Sequence, residues 1–160
     1  MMKLTLTTAI AILALVSTGW TAQKDVKTTP VLTTDSAELE WMPVDILPPG
    51  AKFAVLTSAG DWSVVRVKFP PYYLMPPHTH PNAEAIWLVS GSVIFGFGEK
   101  VDKAQPFLKP GAFVALAPGE GGKHWLWTGD EGAILDVQVS DPGGIDYVNP
   151  ADDPKHKHSN

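Results

Sequence analysis

The chain has 160 residues, enough for one domain with a buried core, and 44% of them are hydrophobic while 18% are charged. Its net charge of −5 gives it no electrostatic reason to bind nucleic acid or anionic lipid. Cysteine is absent, which excludes a cysteine nucleophile, an iron–sulfur centre, cysteine-bound zinc and disulfide bonds. Any metal ion must therefore be held by His, Asp, Glu or water.

The first 22 residues have the pattern of a secretory signal peptide. Lys3 gives a positive start, residues 4–16 form a short apolar run, and small residues follow at 17–22. The apolar run is too short for a membrane span, although an uncleaved anchor is the alternative. We therefore expect residues 1–22 to be removed as the signal peptide, with Gly19 as the other candidate cleavage point. This would leave a periplasmic or secreted bacterial protein that no membrane holds.

The rest of the chain divides into a lead, a domain and a tail. Residues 23–37 are polar and Thr-rich without periodicity, which predicts a flexible lead. The domain is predicted over residues 38–150, where short apolar runs between Pro and Gly turns favour an all-β barrel or sandwich. Residues 151–160 form a charged tail, in which His156 and His158 are expected to be solvated.

Three stretches of the domain carry clear strand signals. Residues 62–69 alternate apolar and polar side chains and predict a half-buried strand. Residues 85–97 and 124–139 each contain two apolar runs separated by a Gly-containing turn, so each predicts a β-hairpin.

The sequence HTHPNAE, which begins at His78, carries the main functional signal. Side chains two residues apart on a strand share a face, so His78 and His80 point the same way, and Glu84 can rejoin that face. Two imidazoles and a carboxylate that converge form a site for a divalent metal and leave positions open for a substrate. The alternative is a pair of surface histidines on a loop. Ile86 and Leu88 follow Glu84 at even spacing, so they lie on the same face of the strand and predict an apolar wall behind the metal.

The spacing H-x-H-x3-E-x6-G, from His78 to Gly91, resembles the first motif of the cupins. The second cupin motif is matched in outline by APGEGGKH, which ends at His124, with Thr128 where cupins carry Asn. The ending GIDYVNPADDP, residues 144–154, is similar to that of a group of exported single-domain bacterial cupins. The resemblance covers residues 40–150 and implies a small antiparallel β-barrel or jelly roll, often found as a dimer.

The resemblance also implies one divalent metal ion inside the barrel, bound by His78, His80, Glu84 and His124. The identity of the metal is open among Fe, Mn, Zn and Ni. A metal-dependent enzyme, either dioxygenase-like or a lyase or isomerase, would act on a small, partly hydrophobic molecule, with Glu84 or Asp136 moving protons. The alternatives are a non-catalytic module that binds or senses a small molecule, and a metal that only stabilises the fold.

Asp136 is the second catalytic candidate, and its role depends on which face of its strand is interior. Asp136 and Gln138 alternate with Leu135, Val137 and Val139. A polar interior would make Asp136 a pocket group, whereas the pattern alone favours an apolar interior. The similar cupins often carry Gln and His at positions 136 and 138, which keeps Asp136 as a candidate.

Two tryptophans bear on the assembly of the protein. If His124 faces the metal, Trp125 and Trp127 face out of the barrel. They then fill either the interface of a homodimer or a gap beneath another segment of the same chain.

Overall fold

A computed structural model describes residues 38–158. The predicted signal peptide, residues 1–22, and the predicted lead, residues 23–37, lie outside this range. The described chain is all-β, as predicted, and forms a curled antiparallel sheet with the shape of a half-barrel. Among residues 38–158, no helix is long and apolar enough to cross a membrane.

One sheet of eight strands accounts for the architecture. The strands are β1 Met42–Pro43, β2 Lys52–Ala59, β3 Trp62–Phe69, β4 Leu74–Thr79, β5 Glu84–Phe97, β6 Phe113–Leu116, β7 His124–Ser140 and β8 Asp146–Tyr147. The main path through the sheet runs β1-β2-β3-β7-β4-β8, and β5 pairs with both β6 and β7. Short 3₁₀ helices occupy Gly119–Gly122, Pro150–Asp152 and Pro154–His158.

The two predicted hairpins are wrong, because each is a single long, bent strand. β5 spans 14 residues and β7 spans 17. Gly91 (φ 77°) and Gly132 (φ 72°) adopt the left-handed conformation, but they produce bulges and not chain reversals. The two bends lie against each other, since a Cβ on Gly91 would collide with the carbonyl oxygen of Gly132. Because β7 is bent, its first residues pair with β4 and its last residues pair with β3.

The inner face of the sheet carries the hydrophobic core. The strand predicted at residues 62–69 is confirmed as β3, with Val67 and Phe69 buried. In the register of the sheet, Val67 lies between Phe53 and Leu135, and Leu135 pairs in turn with Leu88. Beside this core the curled sheet lines a half-open cavity of about 690 Å³. Ile86 lines the cavity as expected, whereas Leu88 lies in the core outside its lining.

The two tryptophans of β7 differ in their surroundings. Trp125 is fully buried by its own chain, and its ring lies so close to Gly96 that a Cβ there would collide with it. A homodimer interface through Trp125 is therefore wrong. Trp127 is partly exposed, and the Lys103 ammonium lies 3.1 Å from the centre of its ring.

Candidate metal centre

Two strand ends, the end of β4 and the start of β7, bring the predicted histidines together. His78 lies in β4 directly opposite His124, the first residue of β7, and His80 follows one residue after β4 ends. One ring nitrogen from each of these histidines lies within 4.8 Å of those of the other two. His78, His80 and His124 can therefore bind a metal ion.

The outer nitrogen of each ring is held by a backbone carbonyl. Nδ1 lies 2.7 Å from Pro76 O in His78, 2.7 Å from Gly144 O in His80 and 2.9 Å from Gly122 O in His124. A carbonyl oxygen can only accept, so Nδ1 carries the proton and a neutral ring keeps its lone pair on Nε2. Histidines that bind metals are oriented in this way, and the donor set therefore fits a divalent ion.

Burial keeps the imidazoles of His78 and His124 neutral. The side chains of His78 and His124 are almost fully buried. Burial lowers the pKa of His78 to about 2, assisted by the neighbouring His124 and His80. Burial likewise lowers the pKa of His124 to about 4. Both rings therefore present a lone pair at neutral pH, the form that binds a metal ion. The ring of Phe95 stacks on His124 with 5.1 Å between centroids and fixes the plane of that imidazole.

Glu84 lies beside this cluster at the first position of β5. Its Oε2 is 3.4 Å from His80 Nε2 and 4.0 Å from His124 Nε2. Burial raises the pKa of Glu84, while the nearby His80 acts in the opposite direction. A buried carboxyl group of this kind can complete a ligand set or hold a proton, so both predicted roles of Glu84 are compatible with its position.

The chain was compared with known proteins by sequence and by structure. No family model and no curated protein matches it. The polyketide cyclase RemF from Streptomyces resistomycificus superimposes with a TM-score of 0.61 at 18% identity, covering 78% of this chain and 90% of the cyclase. An acetylacetone dioxygenase from Acinetobacter johnsonii gives 0.58 at 11% identity, covering 81% and 85%. An RmlC-like cupin from Shewanella frigidimarina gives 0.54 at 16% identity, covering 71% and 92%.

The protein has the cupin fold. The histidine cluster lies on the inner wall of this cupin barrel, and the motif H-x-H-x3-E supplies two of its histidines, His78 and His80, and the neighbouring Glu84. At these levels of identity the likeness concerns the fold alone. The activities of the similar cupins belong to those proteins.

The position of Asp136 in the cupin barrel does not support its predicted catalytic role. Leu135, Val137 and Val139 line the cavity, so Asp136 and Gln138 project to the opposite face of β7. There Asp136 accepts two hydrogen bonds from Arg66, from Nε at 2.6 Å and from Nη2 at 2.8 Å.

We expect Asp136→Ala to leave metal binding and turnover unchanged. The loss of the bidentate pair with Arg66 should lower the free energy of unfolding by about 1 kcal/mol, since both side chains are only partly buried. Urea unfolding and metal analysis of the purified variant check this. Retained metal with lost turnover would restore the catalytic role of Asp136.

Several residues that hold the site together were not found from the sequence. Asn82, inside the first cupin motif, donates from Nδ2 to Ser140 O at 3.4 Å and to Pro142 O at 3.1 Å. This contact ties the start of β5 to the segment whose Gly144 carbonyl orients His80. The sequence signals for this contact are the two motifs HTHPNAE and GIDYVNPADDP, but their spacing alone does not reveal that they touch.

The C-terminal segment also contributes to the cavity of the cupin barrel. β8 pairs with β4, which places Tyr147 opposite His78. From the predicted tail, Asp153 and Lys155 line the cavity. His156 is 66% exposed, in agreement with the expectation that it is solvated, and lies 3.9 Å from Asp153.

Proposed function

We propose that this cupin is an exported metal-dependent enzyme that acts on a small, partly apolar molecule. The observation that carries the proposal is the convergence of three imidazoles, each with its Nδ1 held by a backbone carbonyl, on the wall of a cavity of about 690 Å³. A metal that only stabilises a fold is usually enclosed by protein ligands. Here the ligand atoms face a space large enough for a second molecule.

The residues divide into those that hold the ion and one that handles protons. His78, His80 and His124 would bind one divalent ion through Nε2, with the carbonyls of Pro76, Gly144 and Gly122 fixing the rings. The bound ion would polarise an oxygen of the substrate or, if it is redox-active, support reaction with O₂. Glu84 is near enough to bind the ion as well, and its raised pKa also suits it to accept or donate a proton beside the cluster.

Two reaction classes fit this site. Fe would favour oxidative cleavage of the dioxygenase type, whereas Zn, Mn or Ni would favour a lyase or isomerase reaction. The similar cupins include both an acetylacetone dioxygenase and a polyketide cyclase. Export would affect which metal the site binds. Outside the cytoplasm the metal ions compete for the site by intrinsic affinity, which favours Zn over Fe or Mn.

The second candidate function is a module that binds or senses a small molecule without turnover. The observation that favours it is the outward position of Asp136, which removes the second predicted proton-transfer group from the cavity. In this case the metal would serve to hold the ligand, and Glu84 would act only as a ligand of the ion.

The test is elemental analysis of the protein purified from its exporting host, with His80→Ala beside the wild type. We expect about one equivalent of a divalent metal in the wild type and its loss in His80→Ala. Stoichiometric Fe would then be followed by oxygen-consumption assays with enols and phenols, and Zn, Mn or Ni by lyase and isomerase assays. Equal trace metal in both proteins would contradict the proposal.

A further inference from the structure

The two end strands of the main path through the sheet meet beside the histidine cluster. The path begins with β1 and ends with β8, and each of these strands has two residues. Both strands line the cavity, β1 with Pro43 and β8 with Asp146 and Tyr147. Within residues 38–158, β1 pairs only with β2 and β8 pairs only with β4. The junction of β1 and β8 is therefore a seam that no backbone ladder closes.

Residues 44–47 form the wall of the cavity at this seam, and we call them the entrance flap. They follow β1 directly and belong to no strand. Each of these residues lines the cavity. Asp45 and Ile46 are also exposed to solvent, so the entrance flap lies between the cavity and the outside.

Two tyrosine hydroxyl groups fasten the entrance flap and the residue after it. Tyr147, on the far side of the seam, donates its hydroxyl proton to Ile46 O at 2.8 Å. Tyr73 donates its hydroxyl proton to Pro48 O. The side chain of Leu47 is buried and packs into the hydrophobic core. Opening such a segment costs less than opening a strand, because no row of ladder hydrogen bonds has to break.

The residues that follow the entrance flap are suited to a hinge. Pro48 and Pro49 have a restricted φ, so this part of the chain is stiff. Gly50 has a φ of 110°, in a region that is readily accessible only to glycine. Hinges of moving loops are a few positions that absorb a large change of backbone angles. Rotation at Gly50 can therefore move the entrance flap as a unit.

The cluster behind the entrance flap has little contact with solvent. His78 and His124 are almost fully buried, and the side chains of His80 and Glu84 are 17% and 10% exposed. A molecule that places several donor atoms around an ion at this position requires a neighbouring wall to move aside. Among the walls, the entrance flap combines exposure on one side with few fastenings.

We propose that the entrance flap opens along the seam between β1 and β8, and that the Tyr147 hydroxyl is the latch that keeps it closed. Opening admits a molecule to the histidine cluster, and closing restores the wall of the cavity. The inference rests on the proposed function for what passes through the seam, whereas the motion of the flap requires no metal.

The first test measures access to the cavity in the metal-free protein. The chain contains no cysteine, so a single introduced thiol reports on one position. Val137→Cys places the thiol on the cavity wall at a side chain that is 7% exposed. Its rate of reaction with the uncharged reagent N-phenylmaleimide is compared with and without Tyr147→Phe, which removes the hydroxyl and keeps the ring. Loss of one neutral hydrogen bond shifts a local equilibrium by about 3–10-fold, so we expect a rate that is about 3–10-fold higher.

Two matched controls separate opening of the flap from general loosening of the fold. Val93→Cys makes the same substitution at a side chain that is 2% exposed and lies in the core outside the cavity lining. Its rate of reaction should not change when Tyr147→Phe is added. Tyr72→Phe removes the hydroxyl of an exposed tyrosine outside the cavity, and should leave the rate of Val137→Cys unchanged.

The second test measures access to the ion. The full mature chain is loaded with Co²⁺, and the rate at which EDTA removes the ion is measured by absorbance. We expect Tyr147→Phe to increase this rate by about 3–10-fold, with an unchanged dissociation constant for Co²⁺. A weaker affinity for Co²⁺ would mean that Tyr147 supports the neighbouring His78, and would contradict the role of a latch.

The outcomes separate the inference from the proposed function. Equal reaction rates of Val137→Cys with and without Tyr147→Phe would overturn the inference alone, and so would an equal increase for Val93→Cys. An increased reaction rate of Val137→Cys with an unchanged rate of Co²⁺ removal would show that the flap does not control the site, which also overturns the inference. A protein that does not bind Co²⁺ would overturn the proposed function, and the cysteine rates would still decide whether the flap opens.

Discussion

Replacing His124 by alanine is expected to abolish metal binding. The ring of His124 is almost fully buried and is fixed by Gly122 O and Phe95. One of its ring nitrogens lies within 4.8 Å of those of the other two histidines. Removing a group that hydrogen-bonds to a metal ligand usually lowers metal affinity by about 10–100-fold. Removing the ligand itself should therefore lower it by more than about 100-fold.

Thermal unfolding measures this effect directly. A metal present at 100 times its dissociation constant stabilises the folded protein by about 2.7 kcal/mol, which raises the melting temperature of a domain of this size by about 8 °C. The rise should occur with the wild type and be absent with His124→Ala. The control is His156→Ala, an identical substitution at a side chain that is 66% exposed and outside the cluster, and it should retain the rise. An unchanged rise in His124→Ala would show that the metal binds elsewhere.

The cluster could be predicted because its signals are local. His78 and His80 share a face through the period of a strand, and Glu84 lies only a few residues away. His124 is distant in the sequence, and it was found through the resemblance of its Gly-rich loop to a cupin motif. The carbonyl oxygens of Gly144 and Gly122 could not be found in this way, because every residue has a carbonyl and only the fold decides where it points.

The errors have equally specific causes. A Gly between two apolar runs can form a tight turn or a bulge, because both use a positive φ. The sequence around Gly91 and Gly132 is compatible with either, and the tight packing of the two bends against each other selects the bulge. Asp136 was ambiguous because alternation shows that a strand has two different faces without showing which one is interior. The pairing of β7 with β3, which places Asp136 opposite Arg66, resolves this.

Gly122→Ala is expected to weaken metal binding without touching a ligand. A Cβ on Gly122 would collide with the carbonyl oxygen of Ala117, so the backbone of the 3₁₀ helix Gly119–Gly122 must shift. That helix touches two ligands, because Gly119 N–H donates to His80 O at 2.8 Å and Gly122 O accepts from His124 Nδ1 at 2.9 Å. A shift should therefore turn His124 away from the cluster.

We expect the metal affinity of Gly122→Ala to fall by about 10–100-fold, the usual cost of losing the partner that orients a ligand. The free energy of unfolding of the metal-free protein should fall by about 1–3 kcal/mol from the steric clash. Calorimetric metal titration below the melting temperature separates the two effects. Gly121→Ala is the matched control, because its Cβ would lie 3.7 Å from the Ala117 methyl group, an ordinary contact. Equal metal affinities in the two variants would mean that the Gly122 carbonyl does not orient His124, and that burial and the Phe95 ring alone hold the imidazole in place.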